Sequence, residues 1–458
     1  MAGAFRTAGP PGLNRGRGLI MVGPEVAVGI IIILIFAVVC SIPVVLALGL
    51  TSFFGLAYIT GSLDIAGSLL ANTTYEAIRD YVFAVIPLFV LMGEFISRSG
   101  AAADLYKLVN RSFKRLPGRL ALATVAGNAV FGAVTGVSIA SAAAFSRIAY
   151  PEMARHGYNK AIALGSIAGS ASLGMLIPPS ILLIVWGVIS EQSIGQLFVA
   201  GVIPGIILAG LFFLFIIAFA FLRPDLFGQS ETLAEDETGS ARSEILGGIG
   251  VLILIVAVLG GIWVGAFTPT EAAGVGALMA LVLALMKGVT WSELAAAVLE
   301  TGRISAPLLF LLITAQMYSR LLALGGVTDF IQSLFIMIGD HPGLILLIMV
   351  LVWFVLGMFI DSVSIILLTV PIFAPLAASA GYDPLAFAII GIVAIEAGLL
   401  TPPLGLCVYT VKGCVTDPDA TLTRIFVGAI PYWIILLLLV LILAVMPSVA
   451  TWLPSQIL

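Results

Sequence analysis

Two proline pairs in matched surroundings constrain this chain more than any other feature: Leu176-Ile177-Pro178-Pro179 recurs 224 residues later as Leu400-Thr401-Pro402-Pro403. Proline donates no amide hydrogen and its ring crowds the preceding turn, so each pair interrupts a helix and leaves carbonyls the helix cannot satisfy. In lipid such breaks persist only beside protein or a cavity. Sliding residues 138–179 onto 362–403 without a gap gives ten identities in 42 positions, most of them Gly, Pro or polar, among them Ser138/Ser362, Pro151/Pro375, Gly157/Gly381, Tyr158/Tyr382 and Gly174/Gly398. The likeness extends outward, since Pro117-Gly118 answers Pro342-Gly343, and Phe198-Val199 with Pro204 answers Phe426-Val427 with Pro431. Paired halves with corresponding broken segments are the pattern of a secondary transporter.

Composition fixes the solvent. With 61% hydrophobic and 10% charged residues and a mean hydropathy of +1.20, the chain reads as an all-α polytopic membrane protein. Apolar stretches lie near 25–60, 81–97, 121–146, 162–190, 197–222, 244–263, 270–287, 305–324, 343–372, 385–411 and 425–447, and several must be hairpins or discontinuous helices. Pro43 is placed to divide the first stretch in two. Residues 121–146 are rich in Ala, Gly and Ser, which suits close helix packing inside a bundle.

Basic charge gives orientation. Arg98, Lys107, Arg111, Lys114, Arg115 and Arg119 mark 98–119 as cytoplasmic, whereas the counterpart loop 320–343 carries only Arg320. Equivalent loops that differ this strongly belong to halves lying upside down relative to one another, an inverted repeat. Residues 61–80, with Asp64, Glu76 and Asp80, then face the opposite side. The sequence divides into an N-terminal extension (1–24), a first half (25–222), an acidic linker (223–243) with Glu231, Glu235, Asp236 and Glu237, and a second half (244–458).

Cys40, Cys407 and Cys414 have no metal-ligand spacing and read as packing residues. The chain has no HExxH, GxSxG, P-loop lysine motif or dinucleotide fingerprint, so neither catalysis nor ATP hydrolysis has a chemical centre here. Thr268-Pro269-Thr270-Glu271 has the spacing of a capping box with proline at the first helical position, and predicts a helix running to Lys287.

The remaining chemistry is coordination by oxygen. Asn128, the Thr135-Gly136-Val137-Ser138 run and Ser141 precede the 170–180 segment, while Gly357, Asp361, Ser362 and Ser364 precede 396–405. Hydroxyls and unwound carbonyls suit a hard monovalent cation, and the free amides at broken-helix N-termini suit a carboxylate, so sodium and a small organic anion are the expected cargoes. Asp361 and Glu396 are ionisable groups in apolar sequence and so are functional candidates; each has a competing reading as a helix cap or a vestibule residue. Lys412 either lies at an interface or pairs with Glu396.

The runs FGAVTGVSIASAAAFSRIAYPEM, HGYNKAIALGSIAGSASLGMLIPPSI, FTPTEAAGVGAL, LGMFIDSVSIILLTVPIFAPL and GLLTPPLGL resemble the large (M, DctM-like) membrane subunit of tripartite ATP-independent periplasmic (TRAP) transporters over almost the whole chain from about residue 25. The resemblance implies a sodium-driven uptake permease of the bacterial inner membrane with an elevator-type fold. Helical hairpins near 121–150 and 345–375 would move with the two Pro-Pro segments against a scaffold. It places sodium near Gly136, Ser138, Ser172 and Gly174 in one half and Gly357, Asp361, Gly398 and Thr401 in the other. The solute path would be lined by Ser141, Pro178, Pro179, Ser180, Ser362, Glu396, Pro402 and Pro403. Implied partners are a small four-helix membrane subunit, a periplasmic solute-binding protein, a small organic anion and the lipid bilayer; no organic cofactor and no nucleic acid are implied. Two alternatives remain open: a single-component sodium/dicarboxylate carrier of related fold, and an intramembrane hydrolase using Asp361 and Glu396 as paired acids.

Overall fold

The computed structural model describes residues 24–40, 42–228, 241–327, 330, 333 and 341–457; most of the N-terminal extension and the acidic residues of the linker lie outside these. The described residues form α-helices and short 3-10 turns. Pro43 divides the first apolar stretch as the sequence predicts: α1 (Pro24–Val39) stops before it, and α2 (Val44–Thr60) starts on it. Next come α3 (Leu63–Arg79), α4 (Val85–Arg98) and α5 (Ala101–Ser112). Where the charge pattern predicts loops, α3 and α5 are amphipathic helices. The first buries Ala66, Thr73 and Ala77 along one stripe, and the second buries Ala101, Ala102, Asp104 and Leu105.

A hairpin of α6 (Arg119–Thr135) and α7 (Ser138–Arg155) leads into a broken helix of α8 (Lys160–Ser170), α9 (Leu173–Leu176) and, past Pro178-Pro179, α10 (Ile181–Ser190); α11 (Ile194–Leu222) ends the first half. The arms of the broken helix are bent by 41° at the proline pair. The second half opens with α12 (Ala241–Trp263), α13 (Pro269–Met286) and α14 (Trp291–Leu324). Then α15 (Pro342–Gly357) and α16 (Ser362–Ser379) form the second hairpin, and α17 (Pro384–Gly398) and α18 (Leu406–Cys414) the second broken helix, before α19 (Leu422–Val445) and α20 (Ser448–Ile457). Both Pro-Pro bonds are cis. Seven described helices are long and apolar enough to cross a membrane, and the bent pair makes an eighth.

The capping box is present: Thr268 N donates to Glu271 Oε2 at 2.8 Å, Glu271 N donates to Thr268 Oγ1 at 3.3 Å, and α13 runs from Pro269 to a C-cap at Lys287. A second box, Thr290 with Glu293, starts α14, which begins well before the apolar stretch at 305.

One layer packs α4 against α13 and α14, α2 against α14, and α12 against α5 and α13. The other holds the hairpins and broken helices, with α19 laid on α8 and α17. There Gly165 and Gly428 bring two backbones together, because a β-carbon on Gly428 would lie 1.9 Å from the Ala161 carbonyl oxygen. Inversion of the halves is visible in two ways. Lys160, opening the first broken helix, is bonded to Asp417, just beyond the end of the second, so the two run antiparallel. In addition α10 packs on α16 while α18 packs on α7, so each half's second broken arm seats on the other half's hairpin.

On the basic side, Asp104 of α5 pairs with Lys287, and Arg111 bonds the buried Glu244 at 2.9 Å with Lys107 at 3.7 Å. Glu244 therefore belongs to the packed start of α12. On the opposite side Arg320 pairs with Glu76 of α3.

Candidate functional site: hairpin tips at two broken helices

Gly136 closes α6 at φ 64°, a left-handed conformation glycine adopts without strain. Its carbonyl accepts from Ile181 N at 3.3 Å, and a β-carbon on it would lie 3.2 Å from Pro179 O and 3.3 Å from Ser180 Cα. The first tip is thus docked on the residues that follow the first proline pair. The second half repeats this: Met358 O accepts from Leu404 N at 3.2 Å and from Gly405 N at 3.4 Å. In each case a carbonyl at a tip answers an amide freed by the break.

One turn below each tip, two glycines let the hairpin touch the broken helix. A β-carbon on Gly132 would lie 2.3 Å from Gly174 Cα, and one on Gly398 would lie 2.7 Å from Gly357 Cα and 2.5 Å from Phe354 O. Gly174 and Gly398 therefore face hairpin backbone. Ser141 Oγ sits beside the first crossing, 3.4 Å from either added carbon.

The two tips share one carboxyl. Glu396 is 1% exposed; its Oε1 accepts from Ser362 Oγ at 2.8 Å, and the repeat-equivalent Ser138 approaches the same group without completing a hydrogen bond. Cys407 of α18 is buried in the same neighbourhood. Glu396 Oε2, Ser138 Oγ and Ser141 Oγ are buried with no hydrogen-bond partner. Such atoms are few in a native interior, and each calls for a physical explanation.

Other predicted residues have partners of their own. Asp361 is the N-cap of α16, with Oδ1 accepting from Ser364 N at 3.0 Å and Oδ2 from Ser364 Oγ at 2.6 Å. Ser172 Oγ donates to Gly169 O and Thr401 Oγ1 to Gly398 O, each at 2.7 Å, and Ser180 Oγ donates to Met175 O at 2.6 Å. Pro178 and Pro179 are buried, whereas Pro402 and Pro403 are exposed. Glu396 makes no ion pair with Lys412 among the described residues; its polar neighbours are the serines.

Sequence reasoning passed over the polar seam at the basic side. Tyr150 donates to Asp417 at 2.6 Å, and Lys160 reaches both Asp417 and Asp419. The Tyr150 hydroxyl and then the Lys160 ammonium hold Asp417 down to about 2. Charge alone in 415–424 was the available signal, and it names no partner.

Residues 31–449 match the family model described as "Tripartite ATP-independent periplasmic transporter, DctM component". The chain is 34% identical over 388 residues to the C4-dicarboxylate TRAP transporter large permease protein DctM of Pseudomonas aeruginosa, covering 84% of this chain and 89% of that one. It is 28% identical to the sialic acid TRAP transporter large permease protein SiaM of Vibrio cholerae (88% and 93% covered) and 28% identical to the ectoine TRAP transporter large permease protein TeaC of Halomonas elongata (90% and 95%). Among solved structures, the Alcanivorax borkumensis YdaH transporter superposes with a TM-score of 0.61 at 14% identity, covering 85% of this chain and 89% of that one.

Proposed function

The chain belongs to the DctM component family of tripartite ATP-independent periplasmic transporters, and from that premise we propose that it drives uptake of a small organic anion with the sodium gradient. It is the large permease subunit of a secondary transporter and a multi-pass protein of the bacterial inner membrane. A small four-helix membrane subunit would brace it and a periplasmic binding protein would deliver the solute. The relatives named above are called permeases for a C4-dicarboxylate, sialic acid and ectoine, all of which carry a carboxylate.

The observation that carries this reading is the meeting of Ser138 and Ser362, equivalent residues of the inverted halves, at Glu396. A cation at either tip would take hydroxyl and carbonyl oxygens, and Gly136, Ser138, Ser172 and Gly174 on one side and Gly357, Asp361, Gly398 and Thr401 on the other remain the proposed neighbourhoods. The buried carboxyl of Glu396 lies between them, with Oε2 left as an acceptor for incoming cargo. Solute would meet the exposed second break first, beside Pro402 and Pro403, and the buried Ser141, Pro178, Pro179, Ser180 and Ser362 would reach it only after the hairpins move. An elevator movement of the hairpin layer against the α2, α4, α13 and α14 layer would provide that access.

Solute accumulation in proteoliposomes under an imposed sodium gradient tests this directly. Accumulation should collapse when a sodium ionophore is added and survive a protonophore; the reverse pattern would overturn sodium coupling.

A further inference from the structure

Asn128, buried in the middle of α6, holds its amide in one orientation. Nδ2 donates to Ile167 O at 3.3 Å and to Ser170 Oγ at 2.7 Å, and Ser170 Oγ donates its own hydrogen to Ser166 O at 2.5 Å. A backbone carbonyl can only accept, and a hydroxyl whose hydrogen is already given away must also accept, so the amide cannot be flipped. Oδ1 is left as a fixed acceptor, 0% exposed and without a donor.

That oxygen belongs to a file. One turn nearer the tip is Gly132, at the crossing with Gly174, where Ser141 Oγ is also unpartnered; one turn back toward the start of α7 is the unpartnered Ser138 Oγ, beside Glu396. Among the described residues the second half has no such file. Aligning Gly132 with Gly357 sets Asn128 against Trp353, and aligning Ser138 with Ser362 sets Ser141 against Ile365. Trp353 is fully buried, donates Nε1 to Thr369 at 2.8 Å, and lies within 5.8 Å, centroid to centroid, of the rings of Trp186, Phe387 and Phe373. At the level of Asn128, the hairpin whose base is at Arg119 therefore presents an acceptor oxygen where its inverted counterpart presents the Trp353 ring.

Resting on the sodium reading above, we propose that Asn128 Oδ1 is a binding position for the coupling cation, two turns below the first hairpin tip. An acceptor-only oxygen with no positive side chain bonded to it suits a partly dehydrated monovalent cation.

Sodium-dependent thermal stabilisation of the purified chain with its small membrane partner tests this without transport, choline chloride serving as the ionic-strength control. Asn128→Leu keeps the volume and removes the acceptor; it should raise the sodium concentration giving half the maximal shift by roughly tenfold. Ser170→Ala, which only frees the amide to turn, should give a smaller increase, and it keeps the question open to test if Asn128→Leu does not fold. Wild-type sodium curves in folded variants would mean that Oδ1 holds water only and would overturn the proposal. No sodium shift in the wild type would instead overturn the sodium reading itself.

Discussion

Lys160 and Asp417 are 257 residues apart and are bonded through both carboxylate oxygens, at 3.0 and 2.9 Å. The contact ties the first turn of one broken helix to the residues just past the other, and so records the inversion of the halves in a single ion pair. Because Asp417 is held down to about 2, its contribution to stability is full above the ordinary carboxylate value and is lost only as pH falls through about 2. Thermal stability in detergent should therefore show no step from this pair between about pH 5 and 8. Asp417→Asn, which keeps an acceptor for Tyr150 but not the charge, should lower the midpoint less than Asp417→Ala, and scanning calorimetry of the two variants checks the order.

The glycine crossings predict sharp steric limits. Valine at position 174 or 398 would drive its β-carbon into the hairpin backbone, within 2.5 to 2.8 Å. Overpacking of this kind costs about 1–3 kcal/mol where neighbours can shift, and backbone shifts less readily than side chains. Gly174→Val and Gly398→Val should abolish uptake and reduce the melting midpoint together. Normal uptake by either would show that the hairpins do not pack here as described.

Asp361 and Ser138 separate a structural from an ionic role. Asp361→Ala removes a cap and should cost ~1 kcal/mol of stability, whereas Asp361→Asn retains an acceptor for the Ser364 amide and should restore most of it. Ser138→Ala removes a hydroxyl that makes no hydrogen bond, so it should leave stability unchanged and raise the sodium concentration needed for half-maximal uptake. An unchanged sodium dependence with Ser138→Ala would remove that residue from the ion path.

Thr268→Ala tests a feature expected to be architectural only. Losing the Thr268 side of the capping box should destabilise by ~1 kcal/mol while uptake per folded molecule stays at the wild-type level, measured by normalising transport to monodisperse protein.

The legible parts of this fold were those with local causes. Pro43, the two proline pairs and the Thr268 box each act within a few residues of themselves, and each sits where the chain predicts. The helices α3 and α5 were missed because their buried stripes are narrow and set among charges, which read as loop when hydropathy is averaged along the chain instead of around a helix. Asp104 with Lys287 and Glu244 with Arg111 were invisible for a different reason: their partners lie more than a hundred residues away, and no local pattern names them. At the site, the tips and breaks sit where the sequence places them, but the role of Gly174 and Gly398 as backbone contacts, the capping by Asp361 and the fixed amide of Asn128 are facts of packing. The family resemblance placed the first three near sodium, and these contacts leave that proposal standing.

The most direct test of the account is solute uptake into proteoliposomes containing this chain and its small membrane partner, under an inward sodium gradient, with and without the periplasmic binding protein. The account predicts uptake only when both sodium and the binding protein are present. Equal uptake with sodium alone would contradict it and make this chain a self-sufficient carrier that selects its own solute.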